Sequence, residues 1–351
     1  MKAVILIGGL GTRLRPLTCT TPKPMLPILN KPFLLYQLEL LKKFGIKDVI
    51  FCVSYLPKYF KNEFKSGRNL GLNIIYVEEK VPLGTGGAVK NACRHIDQTT
   101  IVFNGDILTD IDLKGIVNFH EKRNSMLTIG LVKVKNPTTF GLVETDRSGK
   151  VKKFLEKPSW DEVTCNTINS GVYVFEPELL DLIPAGQNYS LERGLFPNVL
   201  ELGFPMNGFI YSGYWMDIGT VDKYLQAHFD ILDRKTRFNI KWKKKSKNIY
   251  MDKNVVLGDS IVNNANAHIG FNTKIGSCVQ LQGRVSIGKE CQIERGVILE
   301  NCVILNNVSV AEGSKLSGCV IGNSCKIESN VSISKNAVLG DNTLIKKFSR
   351  L

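Results

Sequence analysis

An aliphatic residue returns at every sixth position over the last third of this 351-residue chain. Ile269, Ile275, Leu281, Ile287, Ile293, Leu299 and Leu305 mark the frame; Leu257 belongs to it, and Asn263 is its one polar member. After a slip through Val310 and Leu316, the spacing resumes at Ile321, Ile327, Ile333, Leu339 and Ile345. Six residues do not return to one face of an α-helix, which turns in about 3.6. They suit a parallel β-helix in which each hexad forms one side of a triangular coil and the aliphatic side chains stack inside. Glycine often follows the aliphatic position (Gly258, Gly270, Gly276, Gly288, Gly322, Gly340) and is expected to accommodate the corner.

Residues 1–233 have another texture. Runs rich in β-branched residues (Ala3–Ile7, Asp48–Val53, Asn73–Val77, Thr100–Asn104) alternate with helix-like segments. Phe33–Phe44 carries leucines at 3–4 spacing, and Thr85–Arg94 and Leu113–Lys122 are further helix candidates. This alternation predicts an α/β domain: a Rossmann-like, mostly parallel sheet with helices on both faces, its ligands at the carboxyl ends of the strands. The expected organisation is therefore 1–233 as a catalytic domain, 234–250 as a basic linker, and 251–351 as the β-helix.

The formal net charge of +14 raises the question of nucleic acid or anionic lipid. More than half of the excess lies in the arm 234–250, which has eight basic residues and no acidic one. A solvated connector fits such a run better than a binding face, so no nucleic acid is expected. No membrane is expected either: no run approaches the about 18 apolar residues of a spanning helix, and Met1–Gly9 reads as a first strand running into a turn rather than a signal peptide. Nine scattered cysteines predict reduced thiols and a cytoplasmic setting. With no Cys-x-x-Cys pair and with His95, His120, His228 and His268 far apart, zinc is not expected. His268 reads as an ordinary surface residue.

The loop after the first strand is Gly8-Gly9-Leu10-Gly11-Thr12-Arg13-Leu14-Arg15-Pro16, followed by Thr21-Pro22-Lys23-Pro24-Met25. Its glycines let backbone N–H groups approach a phosphate chain; Arg13 offers a bidentate fork and Lys23 a point charge. It is neither a Rossmann Gly-x-Gly-x-x-Gly nor a P-loop Gly-Lys-Ser/Thr. Further along come Pro82-Leu83-Gly84-Thr85-Gly86-Gly87, Asn104-Gly105-Asp106, Phe140-Gly141, Glu156-Lys157-Pro158, Asn169-Ser170-Gly171-Val172-Tyr173 and Trp215-Met216-Asp217-Ile218-Gly219. In this order, the set resembles the sugar-1-phosphate nucleotidyltransferases over about residues 1–235, with the members acting on GTP and mannose 1-phosphate the most similar. The tail resembles the left-handed β-helix of hexapeptide-repeat proteins, a common appendage of that family.

The resemblance implies a reaction and a set of roles. A sugar-phosphate oxygen attacks the α-phosphorus of a nucleoside triphosphate and pyrophosphate leaves, a step that needs positioning and charge neutralisation rather than a covalent nucleophile. Asp106 and Asp217 would hold Mg²⁺; Asp217 has the alternative of capping a helix that begins near Thr220. Arg13 and Lys23 would stabilise the reacting phosphates, with Leu6, Gly8, Gly9, Gly11, Thr12 and Gly84 completing the nucleotide site. Arg15 would order the loop or touch phosphate. Lys157 would pair with the sugar phosphate, while Gly141, Glu156 and Asn169 would contact the sugar.

The family's base-reading position falls on Glu79, five before Gly84. A carboxylate accepts from two adjacent N–H donors, as guanine presents; uracil and thymine present one N–H between carbonyls, which an amide suits better. GTP is therefore favoured, although Ile7 stands where the family commonly has alanine. The alternatives are a UTP- or dTTP-dependent glucose-1-phosphate enzyme, a GTP-dependent manno-heptose-1-phosphate enzyme, a non-catalytic regulatory homologue, or a β-helix acyltransferase. The coils are expected to join copies into a homo-oligomer.

Overall fold

The computed structural model describes residues 1–238, 243–246 and 248–351. Positions 239–242 and 247 of the basic arm lie outside the described residues. By contacts, the chain divides into two compact units. The first comprises residues 1–9 and 36–215, the second residues 10–35 and 216–351. The glycine-rich segment thus groups with the C-terminal residues.

The first unit is built on a sheet. Strands β1 (Lys2–Leu6), β2 (Asp48–Val53), β3 (Asn73–Glu78) and β4 (Thr100–Asn104) form its parallel core in the order β4-β1-β2-β3. Beyond β4 the sheet continues antiparallel, through β5 (Leu127–Lys133), β6 (Gly141–Thr145), β7 (Val151–Glu156) and β8 (Thr167–Phe175). A last strand, β9 (Met206–Ile210), lies parallel to β5. The parallel strands read as unbroken apolar runs because they are buried on both faces: Ala3, Val4, Ile5 and Val49–Val53 are fully covered. Helices α1 (Leu34–Phe44), α2 (Pro57–Phe64), α3 (Gly84–Asn91) and α4 (Leu113–Lys122) connect these strands, and α5 (Phe196–Glu201) precedes β9. The apolar face of α4 is Leu113, Ile116 and Val117, and its first turn is closed by Asp112, whose side chain accepts from the Gly115 N–H at 3.0 Å.

In the second unit the hexads stack as the left-handed parallel β-helix. Ile269, Ile287, Ile304, Ile321 and Leu339 form one inner column. Ile275, Ile293, Val310, Ile327 and Ile345 form a second. Leu281, Leu299, Leu316 and Ile333 form a third. The slip falls earlier than the spacing suggests, so that Ile304, and not Leu305, continues the column from Ile287. Gly283 and Arg284 of one coil face Asn301 alone of the next, which removes one residue from that side; the step from Leu316 to Ile321 removes another. Glycine's role at the corners is also different from the one expected. After Gly270, Gly288 and Gly322 it is not the glycine but the residue two positions on, Asn272, Glu290 and Ser324, that takes the left-handed conformation. The glycines are required because a Cβ at Gly270 or Gly288 would stand 2.5 or 2.4 Å from backbone oxygen of the coil above.

Helix α6 (Val221–Leu232) belongs to this unit. Its His228 is buried, with Nε2 3.1 Å from the Pro27 carbonyl and Nδ1 3.5 Å from the Leu29 N–H, the pattern of a neutral imidazole. Burial holds its pKa down to about 3, from an ordinary 6.5. The unfolded chain therefore binds the proton first as pH falls. This site's contribution is intact above pH 6.5 and is lost by up to ~1.4 kcal/mol per pH unit between there and the folded value. Urea unfolding at pH 7, 6, 5 and 4 is expected to show that slope, flattened in His228→Gln. Among the described residues, no helix is long and apolar enough to cross a membrane.

Candidate active site

In the first unit, the end of β1 and the start of the next loop are fixed by neighbouring strands. Gly105 donates to the Leu6 carbonyl at 2.8 Å, and Ser54 Oγ donates to the Gly8 carbonyl at 2.8 Å. A Cβ at Gly105 would lie 2.4 Å from Cγ2 of buried Ile7, so the bulky Ile7 is accommodated by the missing side chain beside Asp106. Asp106 itself is partly exposed just past the end of β4, where ligands of such sheets bind.

Sequence reasoning missed what holds that loop. Gln37 of α1 is completely buried, and its Nε2 donates to the Asn104 carbonyl at 3.0 Å and the Ile107 carbonyl at 2.7 Å, on either side of Gly105-Asp106. Gln37 Oε1 and Asn104 Oδ1 are buried with no hydrogen-bond partner among the described residues. Gln37→Leu keeps the volume and leaves both carbonyls without that donor. It is expected to cost about 1–3 kcal/mol in urea unfolding and to lower kcat about tenfold, one hydrogen bond's worth of positioning.

The base-reading candidate Glu79 follows β3. Its Oε2 accepts from the Leu83 N–H at 2.9 Å, tying the carboxylate to the loop that precedes α3. Burial raises its pKa, and the Leu83 bond opposes the rise. Gly84 opens α3 with φ +72°, packed against the Tyr189 carbonyl, to which Gly86 and Gly87 donate at 2.8 and 3.0 Å.

The sugar candidates lie on β6–β8. Glu156 pairs in register with Gly141, and Lys157 donates its N–H to the Phe140 carbonyl at 3.0 Å. Phe140 stacks edge-on with Trp215, whose Nε1 donates to the Ser170 carbonyl at 2.8 Å. Residues 169–173 form a bulge in β8: Asn169 Oδ1 accepts from the Gly171 N–H at 2.8 Å, and its Nδ2 donates to the Tyr173 hydroxyl at 2.9 Å. A second unforeseen residue is Glu192. It accepts from Thr85 at 2.7 Å, from Ser190 at 2.8 Å and from Tyr173 at 3.4 Å. Burial first and the Glu192 charge second raise the Glu156 pKa, while Lys157 and Arg193 oppose the rise. In sequence, Ser190-Leu191-Glu192 reads only as a helix start, with an acid in its first turn.

The second unit brings together three of the residues assigned to phosphates and metal. Gly11, at φ +62°, begins a single turn, Thr12–Leu14, and the Thr18 hydroxyl donates to its carbonyl at 2.7 Å. Arg13 in that turn is exposed. Lys23 is buried, its ammonium 3.8 Å from Asp217 Oδ1; Lys223 donates to Asp217 Oδ2 at 3.3 Å. Gly219 packs between: a Cβ there would stand 2.9 Å from Asp217 Oδ2 and 3.1 Å from Arg13 Nη2. The helix-capping alternative for Asp217 falls away, because the Thr220 hydroxyl caps α6 by accepting from the Lys223 N–H. His268, expected at the surface, is buried beside Asn30 and Asp252. Among the described residues, no three or more His, Cys, Asp or Glu cluster as a metal cage. Asp217 of this unit, like Asp106 of the first, is a hard carboxylate oxygen donor of the kind Mg²⁺ takes, one or two at a time, completing its shell with phosphate and water.

Residues 2–234 match the nucleotidyl transferase family, and residues 246–351 match the EIF2B subunit epsilon LbH domain. A UTP–glucose-1-phosphate uridylyltransferase of Synechocystis sp. is 35% identical over 90% of this chain and 86% of its own. The mannose-1-phosphate guanylyltransferase catalytic subunit beta of Drosophila melanogaster is 34% identical over 98% of this chain and 90% of its own. Among solved structures, HddC from Yersinia pseudotuberculosis complexed with GMP-PN is 31% identical, with a TM-score of 0.57 over 66% of this chain and 99% of that one. The chain belongs to the nucleotidyl transferase family, among the enzymes that join a nucleotide to a sugar 1-phosphate.

Proposed function

We propose that the chain transfers the guanylyl group of GTP to mannose 1-phosphate, with Mg²⁺ as the metal. The observation that carries the transfer chemistry is the buried Lys23 ammonium beside Asp217, with the Arg13 guanidinium across Gly219. Two anions must meet, and this group supplies fixed cations that repel neither. Arg13 binds the β- and γ-phosphates and takes up charge on departing pyrophosphate. Lys23, oriented by Asp217, stays beside the α-phosphate. Lys157 holds the sugar phosphate in line, so that its oxygen bonds to the α-phosphorus as the bridge to pyrophosphate breaks. Family members generally work with a divalent metal; Asp106 and Asp217 would hold Mg²⁺ here, and it supplies charge neutralisation on the phosphates.

Guanine is supported by the Glu79 carboxylate and by relatives named guanylyltransferases. Glu156, Asn169 and Glu192 supply acceptors for sugar hydroxyls. A second reading, uridylyl transfer to glucose 1-phosphate, is favoured by the Synechocystis relative. A matrix of GTP, UTP and dTTP against mannose, glucose and manno-heptose 1-phosphates, scored by pyrophosphate release, tests both. GTP with mannose 1-phosphate is expected to give the highest kcat/KM; a preference for UTP with glucose 1-phosphate would replace the first reading by the second.

A further inference from the structure

The segment that carries Arg13 and Lys23 is anchored on the β-helix at two places. At one, the Thr20 hydroxyl donates to Asp341 Oδ2 at 2.7 Å. Asp341 Oδ1 accepts from the Asn323 N–H at 2.7 Å and from Asn323 Nδ2 at 3.1 Å. Asn323 Oδ1 in turn accepts from the Asn306 N–H at 3.1 Å, and Asn306 Oδ1 from the Lys289 N–H at 2.9 Å. A ladder of side-chain caps thus climbs the coils and ends at Asp341, whose second oxygen turns outward to Thr20. Pro16 packs beside it, 3.1 Å from where a Cβ of Gly340 would be.

At the other place, Asn30 Nδ2 donates to the Ile287 carbonyl at 3.1 Å and lies 3.3 Å from Nδ1 of buried His268. A Cβ at Gly270 would reach within 2.4 Å of that amide. Lys23 sits between the two anchors in sequence. Nothing in a free-standing solenoid needs Asp341 to accept a third hydrogen bond or His268 to be covered by an asparagine from the far end of the chain.

We propose that Asp341, acting through Thr20, and His268, acting through Asn30, are positioning residues for nucleotidyl transfer: the β-helix is the backing against which the segment Gly11–Leu29 is held. This rests on the function proposed above. Transfer by fixed cations is sensitive to displacements of about 1 Å in the groups that carry them. Loosening an anchor therefore lowers the rate of the positioned step rather than the affinity for substrates.

The test uses the full chain with GTP and mannose 1-phosphate and, separately, amide hydrogen exchange without substrates. Asp341→Ala and Thr20→Val approach one anchor from its two sides; Asn30→Ala removes the other. Each is expected to lower kcat about 5- to 20-fold with both KM values within twofold. Each is also expected to speed exchange at Leu17, Cys19, Met25 and Leu26, whose N–H groups close the turns of the segment, while Ile304 in the coils is unchanged. Asp341→Asn keeps an acceptor for Asn323 and a partner for the Thr20 hydroxyl, and should restore kcat to within twofold. Unchanged kcat and exchange in Thr20→Val and Asn30→Ala would overturn the proposal, as would faster exchange with unchanged kcat. If the unaltered chain turns over neither substrate, the function reading fails, and the exchange data still decide the anchoring.

Discussion

Replacing Asp217 by asparagine is expected to lower kcat about 10²- to 10³-fold, the scale seen when one preorganised group that stabilises a developing transition state is removed. Asp217 receives Lys23 on one oxygen and Lys223 on the other, and it is the carboxylate of the second unit assigned to the metal. On the proposed assignment the substitution removes a metal ligand, and it also removes the negative charge that lies 3.8 Å from the buried Lys23 ammonium. The Mg²⁺ concentration giving half-maximal rate should rise with the fall in kcat, because phosphate and Asp106 are left to hold the ion. Lys23 keeps an amide oxygen within reach, so unfolding free energy should fall by about 1–3 kcal/mol and the protein should remain folded. Steady-state kinetics across a Mg²⁺ titration, with thermal unfolding as the control, read all three. A folded Asp217→Asn protein with unchanged kcat would remove Asp217 from the reaction.

The second large effect concerns the base. If Glu79 reads guanine as proposed, Glu79→Gln exchanges a charge-assisted pair with guanine's N1–H and amine for a neutral amide that can accept only one of them. Hydrogen bonds to charged groups contribute about 1.5–3 kcal/mol, so kcat/KM for GTP should fall about 10- to 100-fold while that for UTP changes less than threefold. The Leu83 N–H keeps an acceptor in the variant, so the loop before α3 is preserved and the loss is one of recognition. The raised pKa adds a pH signature. As pH falls through that raised value the carboxylate is protonated, so KM for GTP should climb at a higher pH than an ordinary glutamate would impose, and Glu79→Gln should not show the climb. Competition between GTP and UTP, repeated from pH 8 to 5, measures both.

The elements themselves were readable because they rest on local periodicity. Asp48–Val53, Thr100–Asn104 and Leu113–Lys122 appear with the bounds their patterns predict. The hexads predict the coils, yet they misplace the slip, because Leu305 and Ile304 are both aliphatic and only pairing with Ile287 chooses between them. Motifs such as Asn169–Tyr173 stand out in sequence, but not their geometry: the bulge depends on Gly171 meeting Asn104 from a distant strand. Gln37 is hidden inside an apolar helical stripe, where a single polar residue has no periodic signature. Glu192 is disguised as a helix-starting acid, and His268 as a surface residue. The grouping of residues 10–35 with the β-helix is invisible in sequence because its contacts, Thr20 with Asp341 and Asn30 with His268, join residues more than two hundred positions apart.

The central claim is that fixed cations bring two phosphates together for a direct displacement, with no side chain as nucleophile. Its most direct test is the stereochemical course at the α-phosphorus, using one diastereomer of GTP in which a sulfur replaces a non-bridging α-oxygen and makes that phosphorus chiral, with mannose 1-phosphate as acceptor. A single in-line attack predicts inversion of configuration in the nucleotide-sugar product. Retention would mean two displacements through a covalent enzyme intermediate and would contradict the account.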